Sequence, residues 1–236
     1  MNIPVVFENE NFLALDKPAN ILSEPHKGSK DFSVVDFLKE KYPLHSKFDP
    51  VRFGLLHRLD KETSGLLLVA KNKETFDFLK SLFRERKIKK EYLALSYGWL
   101  KEKKSILNFP IGWGGRLKTT SSSSRKPKEA ITEIEVIKKL QKEEKYSFLK
   151  ALPKTGRTNQ IRIHLAKIGL PVVGDKIYGR KKNIPKEVVA LKRHFLHAFA
   201  LEFVFLGIRY RMEASLAKDL AGFLVKTFNY KPETFF

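Results

Sequence analysis

The chain has no cysteine anywhere in its 236 residues. That excludes disulfides, thiolate nucleophiles and cysteine-ligated zinc. Acidic residues are scarce relative to basic ones, and no stretch reaches the ~18 consecutive apolar residues of a membrane helix. The start, Met1-Asn2-Ile3-Pro4, lacks a basic segment followed by an apolar run, so no signal peptide is expected and the cytoplasm is the expected location. No His/Glu spacing argues for zinc, and no internal repeat is found. These absences leave a globular chain without membrane, redox or metal signatures.

What is abundant is positive charge. Lys and Arg number 46 against 26 Asp and Glu, a formal charge of +20. Self-repulsion on that scale opposes compaction, and a polyanionic partner is the usual reason for it. Nucleic acid is the first candidate, an acidic membrane surface the second, and a lysine-rich composition without function the plain alternative. Hydrophobic residues make up 42%, which is globular rather than disordered. A chain of this size buries roughly 70% of its unfolded surface. One domain over residues 1–236 is expected, as a monomer.

The pattern along the chain predicts α+β architecture with a largely antiparallel sheet flanked by helices. Val5 to Phe7 and Phe12 to Leu15 read as a hairpin. Ser33 with Asp36 reads as a helix start, and Pro43 as its stop. Leu66 to Ala70 is a continuous apolar run, hence a core strand. A helix follows from about Lys73 to Arg86, then a strand over Glu91 to Tyr97. Thr119 to Lys128, with four serines, reads as a mobile loop. Ile131 to Ile137 and Tyr146 to Leu152 read as paired strands. Thr158 is expected to cap a helix running to about Ile168, closed by Gly169 and Pro171. A late hairpin turns over Gly207, and Ser215 opens a terminal helix.

Three runs carry candidate chemistry. Asp60, in His57-Arg58-Leu59-Asp60, sits on a turn before a core strand, where a rigid scaffold can hold a carboxylate. Read alone, it is more simply a loop aspartate capping local amides. Arg162, in Thr155 to His164, lies about 100° round its helix from Ile161 and so borders the core. An arginine there wants an anion, which a phosphate, a catalytic aspartate or a structural salt bridge would supply. Arg157 at the helix start suits a phosphate, while His164 reads as a hydrogen-bonded core residue. Tyr92, 32 residues after Asp60, follows the basic pair Lys89-Lys90. An aromatic beside positive charge can stack on a base, or simply pack in the core.

In order and spacing these runs resemble the RluA-type pseudouridine synthases. The matching pieces are Asp16-Lys17-Pro18, His57 to Gly65, Lys90 to Leu95, Lys128 to Thr132, Gly156 to His164, Gly174-Asp175 with Tyr178-Gly179, and Leu196-His197-Ala198. The resemblance implies an isomerase that converts uridine in structured rRNA or tRNA to pseudouridine. It implies Asp60 as the catalytic aspartate, Tyr92 against the target base, Arg162 paired with Asp60, and Arg58 helping to displace the nucleotide from its stack. Two departures are visible. Asn159 stands where relatives commonly have His, which is expected to matter little to the chemistry. The matching pattern begins near residue 5, without the small N-terminal RNA-binding domain that many relatives carry, which leaves substrate identity open.

The implied reaction detaches uracil from its ribose, turns it and reattaches it through carbon. A carboxylate can attack the anomeric carbon or the base, or stabilise cationic sugar, as in retaining glycosidases. Uracil leaves as a stabilised anion, so one carboxylate is enough, and no cofactor or metal is expected. A stacked base must first be flipped out, at a few kcal/mol. Expected RNA contacts are Arg58, His57, Arg157, Lys89, Lys90, Arg125 and Lys126, with Lys87 and residues 180–182 as further candidates. The competing readings are a non-catalytic RNA-binding protein on this scaffold, which would tolerate loss of Asp60, and a nucleoside hydrolase, which would release free uracil.

Overall fold

The structure is a computed structural model that describes residues 2–26, 28–114, 117–120, 125–179 and 182–232. The strands are β1 (Val5–Glu8), β2 (Phe12–Lys17), β3 (Ser64–Ala70), β4 (Lys89–Tyr97), β5 (Lys104–Asn108), β6 (Ile111–Gly114), β7 (Leu117–Thr119), β8 (Arg125–Lys128), β9 (Ile131–Gln141), β10 (Lys145–Pro153), β11 (Leu196–Phe205) and β12 (Ile208–Glu213). The helices are α1 (Val34–Lys41), α2 (Lys73–Arg84), α3 (Gln160–Lys167), α4 (Lys186–Val189) and α5 (Lys218–Phe228), with a 3-10 turn at Pro43–Lys47. This is the expected α+β class, with most strand pairs antiparallel. No helix among the described residues is long and apolar enough to cross a membrane. The chain groups into two compact units, Met1–Lys90 with Ala198–Ser215, and Glu91–His197 with Leu216–Phe236.

In the first unit the strand order is β1-β2-β3-β11, with β12 on β11. Asn9 closes the first hairpin, its side-chain oxygen accepting from the Asn11 and Phe12 amides. Every residue of β3 is buried, as its apolar run requires. Gly65 sits at φ +109°, and a Cβ there would lie 2.2 Å from the Ala198 carbonyl oxygen, so only glycine fits. Phe12 takes Phe203, Phe205 and Tyr210 edge-on, with centroids 5.4, 5.5 and 5.0 Å away. Ser33 and Asp36 form the capping box that their spacing predicts. Pro43 stops α1 but opens the 3-10 turn rather than a loop. Helix α2 is capped by Asn72 and ends at Arg84, two residues short of the expected Arg86.

In the second unit the order is β4-β10-β9-β5, and β7-β6-β8 form a separate three-stranded sheet. Its strands β7 and β8 correct the reading of Thr119 to Lys128 as one loop, since residues 117–119 and 125–128 are strand. Residues 121–124 lie outside the described residues. The β9–β10 pairing is as expected, with a bulge between Phe148 and Leu149. Helix α5 begins at Lys218, not Ser215. Its first-turn Asp219 takes Arg193 through Nε (2.6 Å) and Nη2 (2.8 Å), and that carboxylate also suits the positive end of the helix.

Candidate active site

Asp60 belongs to the first unit. It is half-buried on the irregular segment between the Leu55 bridge and β3. The main chain around it is pinned at three successive residues. The Ser23 hydroxyl donates to the Leu59 carbonyl and accepts from the Leu59 amide, both at 2.9 Å. The Thr63 amide donates to the Asp60 carbonyl at 3.0 Å, which is the turn expected from Thr63-Ser64-Gly65. The Lys61 carbonyl accepts from the Asn20 amide (2.8 Å) and from Lys17 Nζ (3.1 Å). Lys17 is fully buried, and its ammonium also donates to the carbonyls of Pro18 (2.9 Å) and Ile21 (2.8 Å). A buried ammonium with three donors and three carbonyl acceptors offsets its desolvation and ties the segment after β2 to the Asp60 turn.

His57 lies on the same segment. Its Nε2 accepts the Leu68 amide at 3.0 Å, which leaves the ring proton on Nδ1. Burial, followed by the charges of Lys90 and Arg52, pushes its pKa down to about 3. It is therefore a neutral donor at physiological pH, not a cation for phosphate. Lys90 is itself pushed down to about 8 by burial and the Arg86 charge. Arg58 is exposed. Lys89 is exposed too, with Nζ 3.0 Å from Glu202.

Arg162 belongs to the second unit. It is 5% exposed and sits inside the core rather than at its border, because Gln160 to Leu165 are all buried. Nε donates to Asp175 Oδ2 (2.7 Å), Nη2 to Asp175 Oδ1 (2.9 Å), and Nη1 to Asn159 Oδ1 (3.0 Å). The guanidinium also lies 5.3 Å from the Tyr178 ring centroid. Burial would raise the Asp175 carboxyl, but the Arg162 bonds and charge, with the Tyr178 and Ile177 amides, bring it below the usual range. Gly174 at φ +76° lets this turn approach the Arg193 carbonyl, where a Cβ would come within 2.3 Å.

The start of α3 differs from expectation. Thr158 does not cap it; its hydroxyl accepts from Lys118 Nζ (3.2 Å). The N-cap is Asn159, left-handed at φ 58° and without a side-chain cap bond. Asparagine and histidine both tolerate that conformation better than most residues. Asn159 instead bridges, accepting from Arg162 and donating to the Tyr178 hydroxyl (3.2 Å). The Arg157 amide donates to Gln160 Oε1 (3.0 Å). Gln160 Oε1 also accepts from the Thr155 hydroxyl (2.7 Å), and its amide nitrogen donates to Ile131 O and Thr132 Oγ1. The Arg157 side chain reaches the Glu129 carbonyl (2.9 Å). His164 is the buried, hydrogen-bonded residue expected, its Nε2 2.9 Å from the Phe109 carbonyl.

Of the remaining expected residues, Tyr92 is half-buried on β4 opposite Ala151. Lys126 is exposed on β8 at φ 49°, where Arg125 begins the strand. Residues 180 and 181 lie outside the described residues. Asp60, His57 and Lys90 thus belong to the first unit, and Arg162, Arg157 and Asn159 to the second, where Arg162 and Asn159 are bonded. Sequence reading assigned no role to Lys17, Ser23, Gln160, Asp175 or Tyr178. Among the described residues no group of three or more His, Asp or Glu is arranged to hold a metal ion.

The family model described as RNA pseudouridylate synthase matches residues 11–167, which include Asp60, Tyr92 and Arg162. The ribosomal large subunit pseudouridine synthase D of Borreliella burgdorferi is 35% identical over 207 residues, covering 85% of this chain and 61% of that one. The enzyme of the same name from Nitrosomonas europaea is 36% identical over 94% of this chain and 64% of its own. The chain therefore spans somewhat under two thirds of these two relatives. An uncharacterized RNA pseudouridine synthase of Helicobacter pylori is 39% identical over 84% of this chain and 72% of its own. Among solved structures, the human RNA pseudouridylate synthase domain containing 1 superposes with a TM-score of 0.73 at 26% identity, covering 94% of this chain and 87% of that one. The buried Arg162 helix and the pinned Asp60 turn thus lie in a chain that belongs to the RNA pseudouridylate synthase family.

Proposed function

We propose that this protein isomerises uridine to pseudouridine in RNA, with Asp60 as the catalytic carboxylate. The observation that carries the reading is the pinning of Leu59, Asp60 and Lys61 through their main chain. Those bonds fix the main chain from which the Asp60 side chain projects. Preorganisation of a reacting group is a large part of what a rigid site contributes to catalysis. In the reaction the bond from N1 of uracil to the sugar's anomeric carbon breaks, the base turns, and a bond from C5 to the same carbon replaces it. The C5 proton leaves and N1 takes one up, so atoms balance without a co-reactant. Asp60 acts at the anomeric carbon, at the base, or by stabilising cationic sugar. Each route needs an ionised carboxylate.

Tyr92 takes the face of the target base. Arg162 serves as the guanidinium partner of the reacting carboxylate, its plane set by Asp175 and Asn159. The exposed Arg58 helps displace the nucleotide from its stack. Phosphate contacts fall to the surplus cations, among them Lys89, Lys90, Arg125, Lys126 and Arg157. The substrate is ribosomal RNA of the large subunit, a choice supported by the names of the two ribosomal relatives. The test is incubation with deproteinised ribosomal RNA, with transfer RNA in parallel, followed by pseudouridine mapping. New pseudouridine with wild type, and none with Asp60→Asn at equal RNA binding, is expected. Product from Asp60→Asn would refute the assignment of Asp60. Modification confined to transfer RNA would refute the substrate class.

A further inference from the structure

The small sheet β7-β6-β8 packs against the helix that carries Arg162 and exposes a large aromatic. Trp113 on β6 is 51% exposed. The only other tryptophan, Trp99, is anchored by its indole N–H on the Leu140 carbonyl at 3.0 Å. Register sets Lys118 of β7 opposite Trp113. Residues directly opposite in an antiparallel pair share a face. The Lys118 ammonium lies 5.2 Å from the Trp113 ring centroid. Lys126 and Lys128 follow on β8, both exposed.

The sheet is rooted where the Arg162 helix is. Ile111, at the base of β6, is 4% exposed and packs with Ala130, Ile163 and Tyr178. A register shift separates Ile111 from Trp113, so the strand changes from buried anchor to exposed aromatic within two residues. Lys118 Nζ donates to Thr158 Oγ1, immediately before Asn159. An aromatic of this size left half in water costs apolar burial. Flanking cations then make its surroundings suitable for a polyanion carrying flat apolar bases, which is single-stranded RNA.

We propose that Trp113 is a stacking platform for an unpaired nucleobase of the RNA substrate, with Lys118 placed for that nucleotide's phosphate. This rests on the reading of the protein as an RNA enzyme. The test uses the full chain carrying Trp99→Phe, so that Trp113 is the sole indole reporter. Titration with a short oligouridylate and with deproteinised ribosomal RNA should quench its fluorescence. Trp113→Ala should weaken binding of both about tenfold, while Trp113→Phe retains most of the affinity. Lys118→Gln should lower the salt slope of binding by about one counterion. Pseudouridine formation by wild type is measured on the same RNA. Product from wild type with no quenching, and unchanged affinity in Trp113→Ala, overturns the platform and leaves the enzyme reading intact. Quenching and weakened binding without product from wild type support the platform and overturn the enzyme reading.

Discussion

The two units show two ways of holding an aspartate in place. In the first, Asp60 is placed through its main chain, by Ser23, Thr63, Asn20 and Lys17 acting on three successive residues. In the second, Asp175 is placed through its side chain, by a bidentate bond to a buried arginine. A bidentate pair gives strength and direction, but it occupies the carboxylate oxygens. Main-chain pinning sets the position of a residue through bonds that do not depend on its side chain. The difference suits a division of labour in which Asp175 orients Arg162 and Asp60 reacts. If so, damage to the second carboxylate should read mainly as lost stability, and damage to the first as lost chemistry.

The largest expected effect on stability is in the second unit. Asp175→Asn leaves the Arg162 charge buried with one acceptor fewer, which should cost roughly 3–5 kcal/mol. Denaturant unfolding measures it, and a loss below about 1 kcal/mol would erase the contrast. Lys17→Met comes next. It strips an ammonium from three carbonyls and should cost about 1–3 kcal/mol. Its kcat should also fall further than its KM rises, because the Asp60 turn loosens. A variant with lowered stability and wild-type kcat would show that Lys17 only holds the fold.

Smaller effects follow. Asn159→Ala forces a less tolerant residue into the left-handed region and removes two bonds, for roughly 1–2 kcal/mol. Asn159→His should cost less, since histidine also accepts that conformation. A further effect appears only on acidification. His57 has a folded pKa of about 3 against an ordinary 6.5. The unfolded chain therefore binds the extra proton first as pH falls, and the stability contribution, full above pH 6.5, is lost between there and about pH 3. Asp175 acts in the same direction. Its folded pKa is depressed, so its contribution is present above the ordinary carboxylate range and is lost below it. His57→Gln should flatten only the part above the carboxylate range.

The sequence was most legible where structure is local. The Ser33 capping box, the apolar run of β3 and the alternation of β9 each follow from neighbours within a few residues. The site was half legible. The runs around Asp60, Tyr92 and Arg162 stood out, but their supports did not. Asp175 lies 13 residues from Arg162, and nothing in that spacing announces a bidentate pair. Lys17 reads as a solvated lysine until its three carbonyl partners are seen together. Thr158 is a better cap by type than Asn159, yet the helix starts from a left-handed residue whose side chain serves Arg162. Arg125 to Lys128 read as loop because their strand partner, β6, was not recognised.

The most direct test of the contrast is Asp60→Asn measured beside Asp175→Asn, for pseudouridine formed on ribosomal RNA and for free energy of unfolding on the same preparations. The expected result is that Asp60→Asn makes no product while losing less stability than Asp175→Asn, because the bonds that pin its turn are made by the main chain and survive the substitution. Asp175→Asn should lose several kcal/mol. Product from Asp60→Asn, or an Asp60→Asn that unfolds as readily as Asp175→Asn, would contradict the division between the reacting and the orienting carboxylate.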